Sequence, residues 1–551
     1  MPDSPRRSEE ILLQNTNVSD EERGFLEEEG PSVPTKHEKK ERQRVLIILF
    51  SLSSILLIAV LSAFFYAQGT TVPSKRNVIL MISDGMGPAS MTFARSYYQY
   101  VNNKTYDYEL PLDTILVGSS RSRSASSLVT DSAAGATAFS CGLKTINRRV
   151  AMDVQNIPCG TVLESAKAHG LATGLVATSR ITHATPASFS AHVTERDNEA
   201  EIASQQIGNN ALGRVVDVML GGGRCFFLPN NNSESCRKDD RDLIHEARDR
   251  GFQVLLSRPE FDAANPAQVP ILGLFAPGHM DYEIDRVPKE QPSLYEMAQK
   301  ALEILTTATE KSDKGFFLMI EGSRIDMAAH SNDPGAHLHD ILHYNEVAAL
   351  VKDYVEKHPG TVMISVSDHE TGGLTLARQL TTTYPEYLWY PDVLTRVHNS
   401  TYKAGERLAA YNGPDRIEYL HREILNNTLG IVDPLPAELA NVEKKHSAKD
   451  YNAFLATMLS KRAQVGWTTK GHSGVDVNLY AYGTEHEKLV GAHDNTYIGK
   501  FIEEFLELDL DAITDRLNKE NATFHAASHH KEIDLLSFTT DLPRYHEGIL
   551  Q

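Results

Sequence analysis

Acidic and histidine side chains stand in this chain at spacings that suit a metal centre. Asp84 opens an Asp-Gly-Met-Gly segment, Asp326 and His330 are four residues apart, and Asp368 and His369 are adjacent before two glycines. Residues four apart on a helix share one face, so Asp326 and His330 could bind one ion together. A turn at the glycines would let Asp368 and His369 face the same point. These residue types favour zinc held by nitrogen and oxygen.

Three other polar residues are candidates for the same site. Glu321 follows the apolar run GFFLMI, where a buried carboxylate without a partner would be costly. Ser132 lies in TDSAAGAT, a small-residue segment typical of a helix start, which favours a phosphate or oxyanion. An N-cap serine is the alternative for Ser132. His472 lies in the loop KGHSG and, taken alone, is only a surface histidine.

Together these ligands exceed the needs of one ion. Two zinc ions and a hard-oxygen site for magnesium would use all of them. Two close metal ions suit a displacement at phosphorus, and a serine bound to one of them is an activated nucleophile.

Short apolar runs end at these polar residues. The runs are NVILMISDG (77–85), ATGLVATSR (172–180), GFFLMIEGSRID (315–326) and GTVMISVSDHE (360–370). Each predicts a buried strand, and helical patterns lie between them, for example at 293–306 and 344–358. Alternating strands and helices predict an α/β sandwich, in which ligands bind beyond the carboxyl ends of the strands.

Composition limits the class of protein. The 551 residues carry a formal net charge of −19, which disfavours a nucleic-acid partner bound through phosphates. The chain has four cysteines and no CxxC pair. Their short separations predict the disulfides Cys141–Cys159 and Cys225–Cys236 in an oxidising compartment, with four free thiols as the alternative.

The N-terminal region predicts a membrane anchor. Residues 45–67 are uncharged and apolar, and Lys36, Lys39, Lys40, Arg42 and Arg44 precede them. A 23-residue span with this flanking charge places residues 1–44, a polar tail predicted to be disordered, in the cytosol. The chain is therefore predicted to be a single-pass type II membrane protein, with a cleaved signal peptide as the alternative.

Beyond the span, the sequence predicts a lumenal catalytic domain over 75–510. A stretch rich in Tyr, Asn and charge, 375–465, is predicted to be an insertion over the active-site face, and 511–551 a polar C-terminal tail. Five glycosylation sequons fit this topology: Asn103, Asn231, Asn399, Asn426 and Asn521.

The motifs DGMGP, TDSAAGAT, THATPASFSAHVTER, EGSRID and SDHETGG occur in this order, and as a set they resemble alkaline phosphatases. The short tail, single span and WTTKGHSGVD segment are most similar to the fungal vacuolar (repressible) membrane-anchored enzymes. The resemblance implies a mixed central sheet between helical layers, a homodimer, and broad hydrolysis of small phosphomonoesters. It favours the vacuole membrane, with the plasma membrane or another secretory compartment as the alternative.

The resemblance also implies roles for individual residues. Ser132 matches the nucleophile that becomes phosphoserine, and Arg196 in HVTER matches the guanidinium that grips two phosphate oxygens. Two zinc ions and one magnesium ion per chain are implied. Their ligands would be Asp84, Asp368 and His369 for one zinc, Asp326, His330 and His472 for the other, and Asp84, Thr185 and Glu321 for magnesium.

Two positions depart from the family pattern. Met327 stands where His or Lys usually lies near the phosphate, and Lys470 replaces an expected His. Neither is a metal ligand, so both bear on rate and pH optimum.

Three other functions fit less well. A sulfatase would need a modifiable Cys or Ser in a different motif, and a phosphodiesterase usually has a Thr nucleophile without the Arg and the magnesium ligands. A non-catalytic sensor or scaffold would have lost a ligand or the nucleophile, and this sequence keeps them all.

Overall fold

The structure is a computed structural model that describes residues 35–67, 75–440 and 446–521. It divides into two units, with the boundary at Thr71 and Val72. In the first unit, helix α1 (Lys36–Ala67) contains one stretch, Lys36–Val60, that is long and apolar enough to cross a membrane. The helix includes the predicted span 45–67, but it begins nine residues earlier, inside the predicted disordered tail. Residues 1–34 of that tail lie outside the described residues.

The second unit is built on a ten-stranded sheet and four short outlying strands. The strands are β1 (Asn77–Ile82), β2 (Leu116–Arg121), β3 (Ala172–Arg180), β4 (Val218–Gly222), β5 (Gln253–Leu255), β6 (Ile271–Leu274), β7 (Phe316–Glu321), β8 (Thr361–Val366), β9 (Glu370–Thr371), β10 (Thr375–Leu376), β11 (Val465–Gly466), β12 (His472–Ser473), β13 (Val477–Gly483) and β14 (Gly491–Asp494). The order in the large sheet is β14-β2-β13-β8-β1-β7-β3-β4-β6-β5. Strand β13 pairs antiparallel with β2 and β8, and the other pairs in the sheet are parallel. The mixed sheet implied by the resemblance is therefore confirmed.

Helices occupy the connections between these strands. After α1 they are α2 (Pro88–Val101), α3 (Ser132–Cys141), α4 (Val162–Ala168), α5 (Ala184–Ala187), α6 (Glu199–Gln206), α7 (Leu243–Asp249), α8 (Arg258–Asp262), α9 (Leu294–Thr309), α10 (Arg324–Ser331), α11 (Pro334–Lys357), α12 (Pro391–Leu394), α13 (Thr401–Ala410), α14 (Arg416–Tyr419), α15 (Pro436–Ala440), α16 (Ala448–Ala463), α17 (Thr496–Leu506) and α18 (Leu510–Asn521).

Both faces of the sheet are covered, which explains why its strands are continuous apolar runs. In β1, Ile79 and Met81 join a core with helices α2, α9 and α11. The alternate residues Val78, Leu80 and Ile82 join a second core with α3, α4 and α17. Side chains of a strand point alternately to its two faces, so the sheet lies between two helical layers as predicted.

Both predicted disulfides are confirmed. Cys141 is bonded to Cys159, and Cys225 is bonded to Cys236. Cys141 is the last residue of α3, so the first bridge ties this helix to the loop before α4.

Two predicted segment boundaries can be compared with the fold. The segment 375–465 begins and ends at a two-stranded ladder, in which Thr375 pairs with Gly466 and Leu376 with Val465; its place over the active-site face stays a prediction. The tail predicted from 511 was wrong in its first part, because α18 reaches Asn521 and buries Ile513 and Leu517. Residues 522–551 lie outside the described residues.

Candidate active site

The predicted ligands meet because three neighbouring strands end at the same edge. Ile82 of β1 is level with Glu321 of β7 and with Val366 of β8. Asp84 and Asp368 follow two residues after their strand ends, so they lie beside Glu321. Gly85 permits the close approach of α10. It has a φ of +75°, and a Cβ at this position would lie 2.7 Å from the Asp326 Cα.

Asp84, Asp368 and His369 form what we call the inner cluster. Nε2 of His369 lies 3.2 Å from Asp368 Oδ2 and 3.6 Å from Asp84 Oδ1, and all three side chains are fully buried. Both carboxylate oxygens of Asp84 and Oδ2 of Asp368 lack a hydrogen-bond partner among the described residues. Buried polar atoms are normally paired, so this donor set fits a cation.

A set of oxygen ligands adjoins the inner cluster. Thr185 Oγ1 and Glu321 Oε1 are also buried without a hydrogen-bond partner in the described part of the chain. Without a cation, burial and the charge of Asp368 raise the pKa of Glu321 to about 7. Burial and its three carboxylate neighbours likewise raise the pKa of Asp84 well above its ordinary value. Hard oxygen ligands of this kind fit magnesium.

Asp326, His330 and His472 form the outer cluster. His330 Nε2 lies 3.3 Å from Asp326 Oδ2, and His472 Nε2 lies 3.7 Å from Asp326 Oδ1. The side chain of His330 is 39% exposed, so this cluster opens toward solvent.

Both histidines of the outer cluster have a fixed tautomer. Nδ1 of His330 donates to the carbonyl of Lys470 at 2.5 Å, and Nδ1 of His472 donates to the carbonyl of Thr130 at 2.8 Å. The two Nε2 atoms, 3.2 Å apart, therefore present lone pairs to the same point. When both rings are neutral, the two lone pairs repel unless a cation lies between them, which fits zinc. In the metal-free protein a proton on His330, favoured by Asp326, relieves the same repulsion.

Ser132 is the first residue of α3, the position predicted from the small residues around it. The N-cap role belongs to Asp131 instead, whose side chain accepts from the N–H of Ala134 at 3.0 Å. This leaves the Ser132 hydroxyl free to face the inner cluster, where Oγ lies 3.1 Å from His369 Nε2. A hydroxyl at a helix start beside a cation site can act as a nucleophile.

Arg196 lies on the same side of the site as Ser132. Its Nη1 donates to Asp131 at 3.1 Å, and its Nη2 lies 3.2 Å from Nε2 of His183. Burial and the charge of Arg196 lower the pKa of His183 well below its ordinary value, so His183 is neutral. The guanidinium is thus held in one orientation, as bidentate binding of a phosphoryl group requires.

The two departures from the family pattern lie next to the outer cluster. Met327 follows Asp326 on α10, and its sulfur accepts a hydrogen bond from Nη1 of Arg324 at 2.9 Å. The guanidinium of Arg324 stacks on the ring of Tyr282 at 3.6 Å. Lys470 contributes its backbone carbonyl to His330, while its side chain is exposed.

The structure brings every predicted metal ligand and Ser132 to one edge of the sheet, and it adds residues that the sequence analysis missed. Asp131 anchors Arg196 and the start of α3, and Thr371 bonds to both clusters. Asp131 could have been found from its place before Ser132, since Asp is a preferred N-cap. Thr371 gave no signal, because its contact with Asp326 joins distant parts of the chain.

Comparison with known proteins agrees with this geometry. The sequence model of the family described as alkaline phosphatase matches residues 75–508. The chain is 45% identical to an alkaline phosphatase of Schizosaccharomyces pombe, over 93% of this chain and 96% of that protein. It is 41% identical to the repressible alkaline phosphatase of Saccharomyces cerevisiae, over 97% and 99% of the two chains. The crystal structure of the Thermus thermophilus alkaline phosphatase superposes with a TM-score of 0.68 at 30% identity, covering 81% of this chain and 95% of that one.

Proposed function

This chain belongs to the alkaline phosphatase family and is a phosphomonoesterase, and from that premise we propose that it works through a phosphoserine on Ser132. The observation that carries the proposal is the position of the Ser132 hydroxyl. It lies at the first residue of α3 and 3.1 Å from His369 of the inner cluster.

Arg196 and the start of α3 bind the phosphoryl group in this proposal. The guanidinium, oriented by Asp131 and His183, grips two of its oxygens, and the free N–H groups of the helix receive the developing charge. The Ser132 oxygen then attacks phosphorus and loses its proton. The bond between phosphorus and the ester oxygen breaks, and the leaving oxygen takes up a proton to become the substrate alcohol. Water attacks the phosphoserine in a second step, which releases inorganic phosphate and restores the serine.

The proposed ions are two zinc, one at each cluster, and one magnesium held by Asp84, Thr185 and Glu321. When bound, they would neutralise the buried carboxylates, activate the serine hydroxyl and the water, and stabilise the leaving oxygen. The residues of this chain do the rest. His330 and His472 are held toward one point by the carbonyls of Lys470 and Thr130, which orders the side where the alcohol departs.

Broad specificity follows from the same contacts. Arg196 and Ser132 face the phosphoryl group, and His330 at 39% exposure marks the open side through which an alcohol of any shape can leave. Comparable kcat/KM values for aryl and alkyl phosphomonoesters would support this point. A strong preference for one alcohol would contradict it.

The decisive experiment is acid trapping of the phosphoenzyme followed by peptide mapping. The label should lie on Ser132, and elemental analysis should find two zinc and one magnesium per chain, as proposed. Arg196→Ala should raise KM by about 10- to 100-fold, because a hydrogen-bonded charge pair with the substrate is lost. Label on another residue, or full activity in the metal-free protein, would overturn the proposal.

We also propose a type II topology in a vacuole or other secretory membrane, and a homodimer. Asn103, Asn231 and Asn426 are exposed and available for glycosylation. Asn399 differs, because its amide donates to Asp285 at 3.1 Å. Glycopeptide mapping should find glycans at the three exposed positions and little at Asn399. Analytical ultracentrifugation would separately test the proposed homodimer. The side chain of the fifth predicted site, Asn521, lies outside the described residues.

A further inference from the structure

Thr371 stands between the two clusters. It is fully buried, and its Oγ1 lies 2.5 Å from Oδ1 of Asp326 in the outer cluster. The same oxygen lies 3.2 Å from Nδ1 of His369 in the inner cluster. One hydroxyl therefore contacts a proposed ligand of each zinc site.

The direction of these two hydrogen bonds follows from proton counting. A carboxylate accepts only, so the single hydroxyl proton of Thr371 goes to Asp326. The hydroxyl oxygen then accepts from Nδ1–H of His369. This fixes the tautomer of His369 and leaves the lone pair of its Nε2 facing the inner cluster.

His369 differs in this respect from the other two histidines of the clusters. Backbone carbonyls fix the tautomers of His330 and His472. The tautomer of His369 is fixed by a side chain, and that side chain is shared with the other cluster.

The backbone of Thr371 holds it in place. Its N–H donates to the carbonyl of Gly85 at 3.1 Å, next to Asp84. Thr371 also pairs with His472 in the short antiparallel ladder of β9 and β12. The residue thus adjoins ligands of both clusters through its backbone as well as its hydroxyl.

We propose that Thr371 is a positioning residue, whose one hydroxyl holds His369 and Asp326 in the orientations that both zinc sites need. The inference rests on the proposed function, because it takes the two clusters as zinc sites. It assigns Thr371 no contact with substrate. Loss of the hydroxyl leaves His369 free to change tautomer and Asp326 free to rotate, so both sites should weaken.

The test compares Thr371→Val with Thr371→Ser in the full-length enzyme. Val keeps the shape and loses the hydroxyl, whereas Ser keeps the hydroxyl and loses the methyl group. Zinc affinity is measured by competition with a chelator, and ligand geometry by the visible spectrum of the cobalt-substituted protein. Thr173→Val is a matched control, since Thr173 is equally buried but donates to the carbonyl of Val215, away from both clusters.

We expect Thr371→Val to weaken both zinc sites by about 10- to 100-fold and to change the cobalt spectrum. Thr371→Ser and Thr173→Val should retain the original affinities. If Thr371→Val binds both zinc ions as tightly as the unsubstituted enzyme, or if Thr371→Ser is the more damaging change, Thr371 is a packing residue. If the unsubstituted enzyme binds no zinc, the proposed function falls together with this inference.

Discussion

The inner and outer clusters have similar ligand types but opposite surroundings. The inner side chains are fully buried, and several of their oxygens lack a partner among the described residues. In the outer cluster, His330 is 39% exposed and forms an ion pair with Asp326. The unpaired inner oxygens therefore fit a bound cation, whereas in the outer cluster His330 pairs with Asp326 at the border with solvent. This difference suits a nucleophile held at the buried inner cluster and an alcohol that leaves at the solvent-exposed outer cluster.

The largest expected effect concerns the nucleophile beside the inner cluster. Ser132→Ala should lower kcat by about three orders of magnitude or more, because the covalent step is lost. Zinc content should not change, since Ser132 only adjoins His369. Steady-state kinetics and elemental analysis check both points. A variant that still forms a phosphoenzyme would show that the inner side does not hold the nucleophile.

A second effect concerns the pH dependence of the free energy of unfolding of the metal-free protein, and it arises from Glu321 beside the inner cluster. Burial and the charge of Asp368 raise the pKa of Glu321 from 4.5 to about 7. The folded state then binds a proton that the unfolded state has lost, so the free energy of unfolding should fall as pH rises from about 4.5 to 7. The expected loss is about 3 kcal/mol.

Urea unfolding of the chelator-treated protein across this range measures the loss. Glu321→Gln, which cannot lose a proton, should show a smaller fall, and the metal-loaded enzyme should show little. If the free energy of unfolding of the metal-free protein does not change with pH in this range, the buried carboxylates in and beside the inner cluster do not need a cation.

The contribution of the outer cluster to the free energy of unfolding should change at higher pH than that of Glu321. Burial opposes charge on His330, but Asp326 outweighs it and raises the pKa of His330 from 6.5 to about 9. This contribution to stability is fully present below pH 6.5 and is lost as pH rises through about 9. Partial exposure of His330 makes the loss smaller than at Glu321. In metal-free His330→Asn, the free energy of unfolding should fall less across this window than in the unsubstituted protein, and a loss of the same size would contradict the assignment.

The sequence could predict the site residues that local spacing brings together, but not the contacts between distant segments. Asp326 and His330 lie on one helical turn, Asp84 and Asp368 follow apolar strands, and Glu321 ends one, so local spacing was enough. Thr371 and His472 meet only through a two-residue ladder between distant segments. Local pattern carries no information on such long-range pairing. Helix α18 was missed because its sequence is polar apart from a narrow face with Ile513 and Leu517.

The smallest effect concerns Met327, beside the outer ligand Asp326. Its sulfur is only a weak acceptor and receives a hydrogen bond from Arg324. The family resemblance places His or Lys here, near the phosphate, where a donor to a charged group contributes roughly 1.5–3 kcal/mol. A water can replace part of that contribution, so we expect the lower end, about tenfold. The neighbouring guanidinium would keep an introduced imidazole neutral, and a neutral ring still donates one hydrogen bond.

Met327→His should therefore raise kcat/KM for a phosphomonoester by about tenfold and tighten inhibition by inorganic phosphate. Met327→Leu, the matched control, should change neither quantity, because it keeps the apolar packing against the buried cluster that contains Tyr282. Zinc content should stay constant in both variants, since Asp326 and His330 are untouched. Unchanged or lower kcat/KM in Met327→His would mean that Met327 only fills space. An increase would show that phosphate binding on the open side can be improved without altering either cluster.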